Sequence, residues 1–127
     1  MNLGDCFFNK ATQRLPSHPW IILSDPNEDP DNVLIVNLAD IENCQDHSCV
    51  VGPADHPGVF TKPSCVNYRD AKITSVALLM KARADGLVYA KEAVPVETLD
   101  KIIEGAIETD ELQNAQRALL RKQQIIP

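Results

Sequence analysis

The 127-residue chain is 44% hydrophobic and 24% charged, the balance of one ordinary globular domain long enough to bury a core without disulfide or metal staples. Twelve basic against eighteen acidic side chains give a formal charge of −6. This excludes a nucleic-acid binder coated in positive charge, because the mean field repels a polyanion.

No apolar run approaches the roughly 18 to 20 residues of a membrane-spanning helix. The opening Met-Asn-Leu-Gly-Asp-Cys-Phe-Phe lacks the basic and apolar regions of a signal peptide, so the expected address is cytoplasmic. Up to residue 76 the chain reads as short strands divided by turn chemistry. Leu3–Phe8 and Trp20–Leu23 are strand candidates, and the continuous apolar run Val33–Leu38 suits a strand buried on both faces. Ser48–Val51, Val59–Phe60, Val66–Tyr68 and Ala71–Val76 are further candidates. The segments Asn27–Asn32 and Gly52–Gly58, dense in Pro, Gly, Asp and Asn, separate them. Such spacing indicates a small barrel or sandwich rather than βαβ units.

The period then changes. Ala77–Ala84 has helical character and stops at Asp85-Gly86. From Pro95, apolar residues at Val96, Leu99, Ile102, Ile103, Ala106 and Ile107 share one helical face. A last helix is expected from Thr109-Asp110, with Leu112, Ala115 and Leu119 inward and Arg117, Arg121 and Lys122 favourably near its C-terminus. The organisation is therefore a β-rich domain over 1–76 and a helical addition, 77–127, packed on it.

Cys6, Cys44, Cys49 and Cys65 admit three readings. In a reducing compartment buried free thiols are expected. A zinc site using Cys44, His47 and Cys49 is less well supported, because only one side of the ligand set is paired. A disulfide frame comes last, and no metal or cofactor is expected.

His18-Pro19 leads into a strand and His56-Pro57 leads out of a loop. Proline stiffens each backbone, and imidazole titrates near neutral pH, so the pair suits general acid–base work. Solvated turn histidines are the plainer reading of either one alone. Downstream of His56 stand Thr61, Lys62, Ser64, Tyr68 and Arg69. These hydroxyls and cations, joined by Lys10 and Arg14 from the loop before His18, are what phosphodiester cleavage needs. His18, His56 and Ser64 are the catalytic candidates; Lys10, Arg14, Lys62, Tyr68 and Arg69 are the nucleic-acid contacts. The first 76 residues hold five basic side chains against ten acidic ones. Any RNA contact is therefore confined to a small, salt-sensitive patch.

Leu3-Gly4-Asp5 opening a strand, then His18-Pro19-Trp20-Ile21-Ile22-Leu23-Ser24-Asp25, resembles the start of MazF/PemK-like toxins of type II toxin–antitoxin systems. The Val33–Leu38 run and the stretch from Ser48 to Pro57 resemble a PemK-like subgroup, and the likeness covers roughly residues 3–75. The resemblance implies an SH3-like barrel and a homodimer that cleaves single-stranded RNA without metal, by 2′-hydroxyl attack, and is neutralised by an antitoxin. His18 stands where the family carries an arginine. This exchange gains a proton donor and loses a phosphate clamp. The alternatives are a non-catalytic barrel that inhibits a host protein and an inactive descendant of the family.

Overall fold

The run Val33–Leu38 lies at the centre of the sheet, and each of its residues is buried. It forms most of strand β3 (Asn32–Asp40) in the computed structural model, which describes all residues 1–127. Around it are β1 (Cys6–Asn9), β2 (Pro19–Ile22), β4 (Val50–Val51), β5 (Ser64–Ser75) and β6 (Val88–Lys91). All pair antiparallel in the order β4-β5-β3-β2-β1-β6, so β4 and β6 are open edges and the sheet is a half-barrel. The helices are α1 (Val76–Ala84), α2 (Val96–Glu108) and α3 (Asn114–Lys122), none long and apolar enough to cross a membrane.

The mainly β fold with C-terminal helices is the one expected, with four local differences. Val66–Tyr68 and Ala71–Ser75 are one strand, β5, and Val76 opens α1. Ile35 lies opposite Lys72 but Asn37 opposite Asn67, so β5 carries extra residues that bend it without breaking it. Val59–Phe60 lies in a turn, its amides bonded to the His56 carbonyl. β6 was not foreseen; Gly86, with φ +74°, reverses the chain after α1 and sends Val88–Lys91 back along β1. Finally, α3 starts at Asn114 instead of Thr109-Asp110. Thr109 terminates α2, its hydroxyl donating to Asp46 and accepting from the Glu111 amide. The inward residues of α3 are Gln116 and Leu120, whereas Ala115 is exposed.

α2 and α3 cover one face of the sheet and share its main core, which includes Leu34, Val36, Tyr68, Ile102 and Leu120. A smaller cluster on the other face, Phe7, Ile22, Val33, Ile35 and Leu79, sits beneath α1. Two contacts fix α2. The Tyr68 hydroxyl donates to the Ile102 carbonyl at 2.6 Å, and the Thr98 hydroxyl donates to the Asp55 carbonyl at 2.6 Å. Arg117 reaches from α3 to the Ala106 and Thr109 carbonyls at the end of α2, placing a cation on its negative pole. Gly105 touches the sheet: a Cβ there would meet the Tyr68 hydroxyl, the Cys49 Cβ at 2.6 Å and the Ser48 carbonyl oxygen at 3.2 Å.

Alanine in a helix interior normally gains about 1 kcal/mol over glycine. At Gly105 the clash with Tyr68 and Cys49 prevails, and Gly105→Ala is expected to destabilise the protein by about 2 kcal/mol, read from the urea midpoint. A second expectation concerns alkali. Burial pushes the Cys6 thiol up to about 12 and the Cys49 thiol to about 11, and raises the Tyr68 phenol as well. In the unfolded chain the thiols ionise near 9.0. Their contribution is thus complete below that pH and is lost as pH climbs toward the folded values. The urea midpoint should hold steady to pH ~8.5 and fall by pH ~10.5, less steeply in Cys6→Ala.

Candidate functional site

At the end of β1, Asn9 organises the chain that enters β2. Its side-chain oxygen accepts from the His18 amide at 3.0 Å and from the Trp20 indole at 3.1 Å. Its amide nitrogen donates to the Pro16 carbonyl at 3.0 Å, and Ser17 donates back to the Asn9 carbonyl at 2.7 Å. Four bonds converging on one residue hold His18 in place although it lies in a loop. His18 thereby lines a hollow of about 480 Å³. Phe8 and Phe60 give it an aromatic wall, and Asp40, Thr61, Lys62 and Ser64 complete it from β3 and the approach to β5. Lys62 pairs with Asp40 at 2.7 Å, both partly exposed. Such a pair contributes little to stability but sets a carboxylate and an ammonium in the hollow that His18 also lines.

The other expected site residues are distributed differently. Ser64 is buried, and its hydroxyl donates to the Lys62 carbonyl at 3.0 Å. His56 does not share the hollow with His18. It is 3% exposed, its Nε2 lies 2.8 Å from the Glu92 carbonyl, and its ring meets the edge of Phe60. A carbonyl can only accept, so this nitrogen carries the proton and is committed to the backbone. The expected meeting of two proline-braced imidazoles therefore does not occur. Tyr68 is also buried and holds α2, so its hydroxyl is not on a nucleic-acid surface. Lys10 and Arg14 are exposed on the loop before His18 but do not line the hollow. Arg69 is exposed and pairs with Glu111 at 3.1 Å, beside a second, smaller hollow of about 180 Å³. Asn43 lines both hollows.

Asn9 and Asp40 are the residues that sequence reasoning missed. Asp40 offered one signal, as the first carboxylate after the Val33–Leu38 run. Asn9 offered none, because its function consists of bonds to a segment beyond a loop.

The cysteines require a correction. Cys44 and Cys65 form a disulfide with Cα atoms 6.4 Å apart, while Cys6 and Cys49 are free and buried. The turn after β3 brings Cys44 against β5, within normal bridging distance. The linked residues adjoin Asn43 and Ser64 of the hollow, and Phe60, Thr61 and Lys62 lie within the loop the bond closes. Asp46, in the same loop, loses solvation through burial, but hydrogen bonds from Ser48 and Thr109 outweigh this and keep its carboxyl below the usual range.

No protein-family model matches the chain, and no curated protein matches it significantly. Among solved structures it is similar to a mycobacterial endoribonuclease in complex with its cognate antitoxin. The identity is 19% and the TM-score 0.55, over 89% of this chain and 95% of that one. At this identity the likeness establishes the fold alone, a bent, mostly β sheet with helices.

In the chain-entropy account, closing a 21-residue separation adds about 3 kcal/mol. Titration of the denatured protein should find the two free thiols before reduction and all four after it. Reduction by dithiothreitol should lower stability by about that amount and speed amide exchange chiefly over residues 44–65.

Proposed function

We propose that this chain is the toxin of a type II toxin–antitoxin pair and that it cleaves single-stranded RNA by proton transfer, with no metal ion. The reading is carried by one observation: an imidazole, a carboxylate and an ammonium line a single hollow with an aromatic wall, at His18, Asp40 and Lys62. Phe8, half-buried in the wall of the hollow, offers an aromatic ring against which an unpaired base can stack. Asp40 takes the proton from the 2′-hydroxyl, whose oxygen attacks phosphorus. Lys62 turns from Asp40 to the phosphate and offsets its growing charge, and protonated His18 gives its proton to the departing 5′-oxygen. One phosphorus–oxygen bond forms and one breaks, leaving a 2′,3′-cyclic phosphate and a 5′-hydroxyl. Asn9 is a positioning residue for His18. His56 and Tyr68 act here as supports of the fold. The partners proposed with this reading are a cognate antitoxin and a second copy of the chain in a homodimer.

A non-catalytic module that inhibits a host protein is the second reading. It is favoured by the Asp40–Lys62 pair, which neutralises the hollow's ammonium in a protein already carrying −6.

The test is cleavage of a short single-stranded RNA in excess EDTA at low salt. Cleavage yielding the cyclic phosphate is expected, with kcat lowered about 10²- to 10⁴-fold by His18→Ala and by Asp40→Asn. His56→Gln should leave the activity per folded molecule near that of the unaltered protein. Undiminished cutting by the His18 and Asp40 variants would sink the assignment. A stable complex with a host protein, with no cleavage at any salt, would favour the second reading.

A further inference from the structure

The turn that follows β3 is held to the rest of the molecule chiefly by one covalent bond. None of Ile41 to Asn43 is buried, and Gln45 is exposed. No residue from 41 to 45 belongs to a hydrophobic cluster. The Ile41 amide donates to the Pro63 carbonyl at 3.4 Å. The remaining hydrogen bonds are local: the Cys44 amide donates to the Ile41 carbonyl at 3.3 Å, and the His47 ring lies 3.1 Å from the Cys44 carbonyl. Cys44 Sγ lies 3.2 Å from the Asp40 carbonyl, but a disulfide sulfur has no proton to donate. What keeps Cys44 against β5 is therefore its bond to Cys65.

The neighbours of this turn give the bond its importance. Asp40 immediately precedes it, and Asn43 within it lines both the His18 hollow and the smaller one. Cys44 and Cys65 both line the smaller hollow. Cys65 is 1% exposed whereas Cys44 is half-buried, so the sulfur open to an incoming thiol is that of Cys44. Exposed disulfides are the labile and regulatory ones, since exchange requires access to a sulfur. Cys6 and Cys49 lie in the core and do not compete.

Given the RNA-cleavage reading, we propose that the Cys44–Cys65 bond is a redox switch for the His18 hollow, opened by a dithiol reductant. One thiolate of the dithiol attacks Cys44 Sγ, the sulfur–sulfur bond breaks, and Cys65 leaves as a thiolate. The second thiolate attacks the mixed disulfide and releases Cys44, and the reductant departs as a disulfide. Two electrons pass to the protein, and the two protons lost by the dithiol end on the cysteines. The turn then keeps the Ile41 bond and at most a weak S–H bond to the Asp40 carbonyl. Asn43 leaves the shared wall and the end of β3 at Asp40 loosens, so the placement on which cleavage depends is lost.

The test compares the oxidised and the dithiothreitol-reduced chain in cleavage of the short RNA in EDTA, with ¹⁵N spectra of both. Reduction should lower kcat about tenfold or more, and reoxidation by oxidised glutathione should restore it. Cys44→Ser should be slow under either condition, while Cys6→Ala keeps the bridge and should respond like the unaltered protein. On reduction the amides of residues 40–45 should move toward unstructured positions, while those of α1 (Val76–Ala84) stay. Two results would overturn the proposal. One is an unchanged rate in protein whose four thiols all titrate. The other is loss of rate together with collapse of the α1 signals, which would make the bond a staple of the whole fold. If neither redox state cleaves RNA, the RNA reading alone fails. The switch then stands if residues 40–45 and the His18 amide move together on reduction, and falls if they stay.

Discussion

The close approach of α2 to β5 governs the rest of the molecule. At Gly105 the helix has no side chain, so its backbone comes against the Tyr68 hydroxyl and Cys49, and that hydroxyl donates to the Ile102 carbonyl one turn earlier. Tyr68 pays for its burial with this single bond, since an unpaired phenol in the core would cost its full desolvation. The contact sits where β5 carries extra residues opposite β3. A bend in a long strand needs something to pack against, and here the helix supplies it. With α2 held, α3 follows, because Arg117 binds the carbonyls at its end and Gln116 donates to the Ala71 carbonyl at 2.7 Å.

The two hollows are consequences of that frame. One wall of the His18 hollow is the chain from Val59 to Ser64, and the Cys44–Cys65 bond ties its downstream end to the turn after β3. Another wall is set by Asn9, four bonds of which fix the irregular segment Pro16–His18 and the start of β2 at Trp20. Loops held this way can present polar side chains at fixed positions, which catalysis by placement requires. On the other face, α1 is too short and too evenly apolar to hide both its sides, so Leu78 and Met80 stay exposed.

The chain carries −6, and at the His18 hollow the ammonium of Lys62 is paired with Asp40. Under the RNA reading proposed above, a phosphate has to displace Asp40 from Lys62, which makes binding weak and salt-sensitive. On the far side, Arg83 and Asp5 are opposite charges lining a hollow beside α1.

The pattern of residues alone determined the central strand, the β-rich first part, the helices and their approximate order, because periodicity of burial is a local property. It placed α1 and α2 within a residue or two, and it singled out His18 by its proline context and Lys62 by its charge, two residues that line one hollow. It could not place β6, whose four residues become a strand only by pairing with β1. Nor could it see that His56 turns inward to Glu92, that Cys44 reaches Cys65, that Asn9 holds the His18 amide, or that Asp40 lines the same hollow as His18. Each of these is a meeting of residues far apart in the chain. Their proximity follows from the bend of the sheet and the seat of α2, which no local pattern encodes.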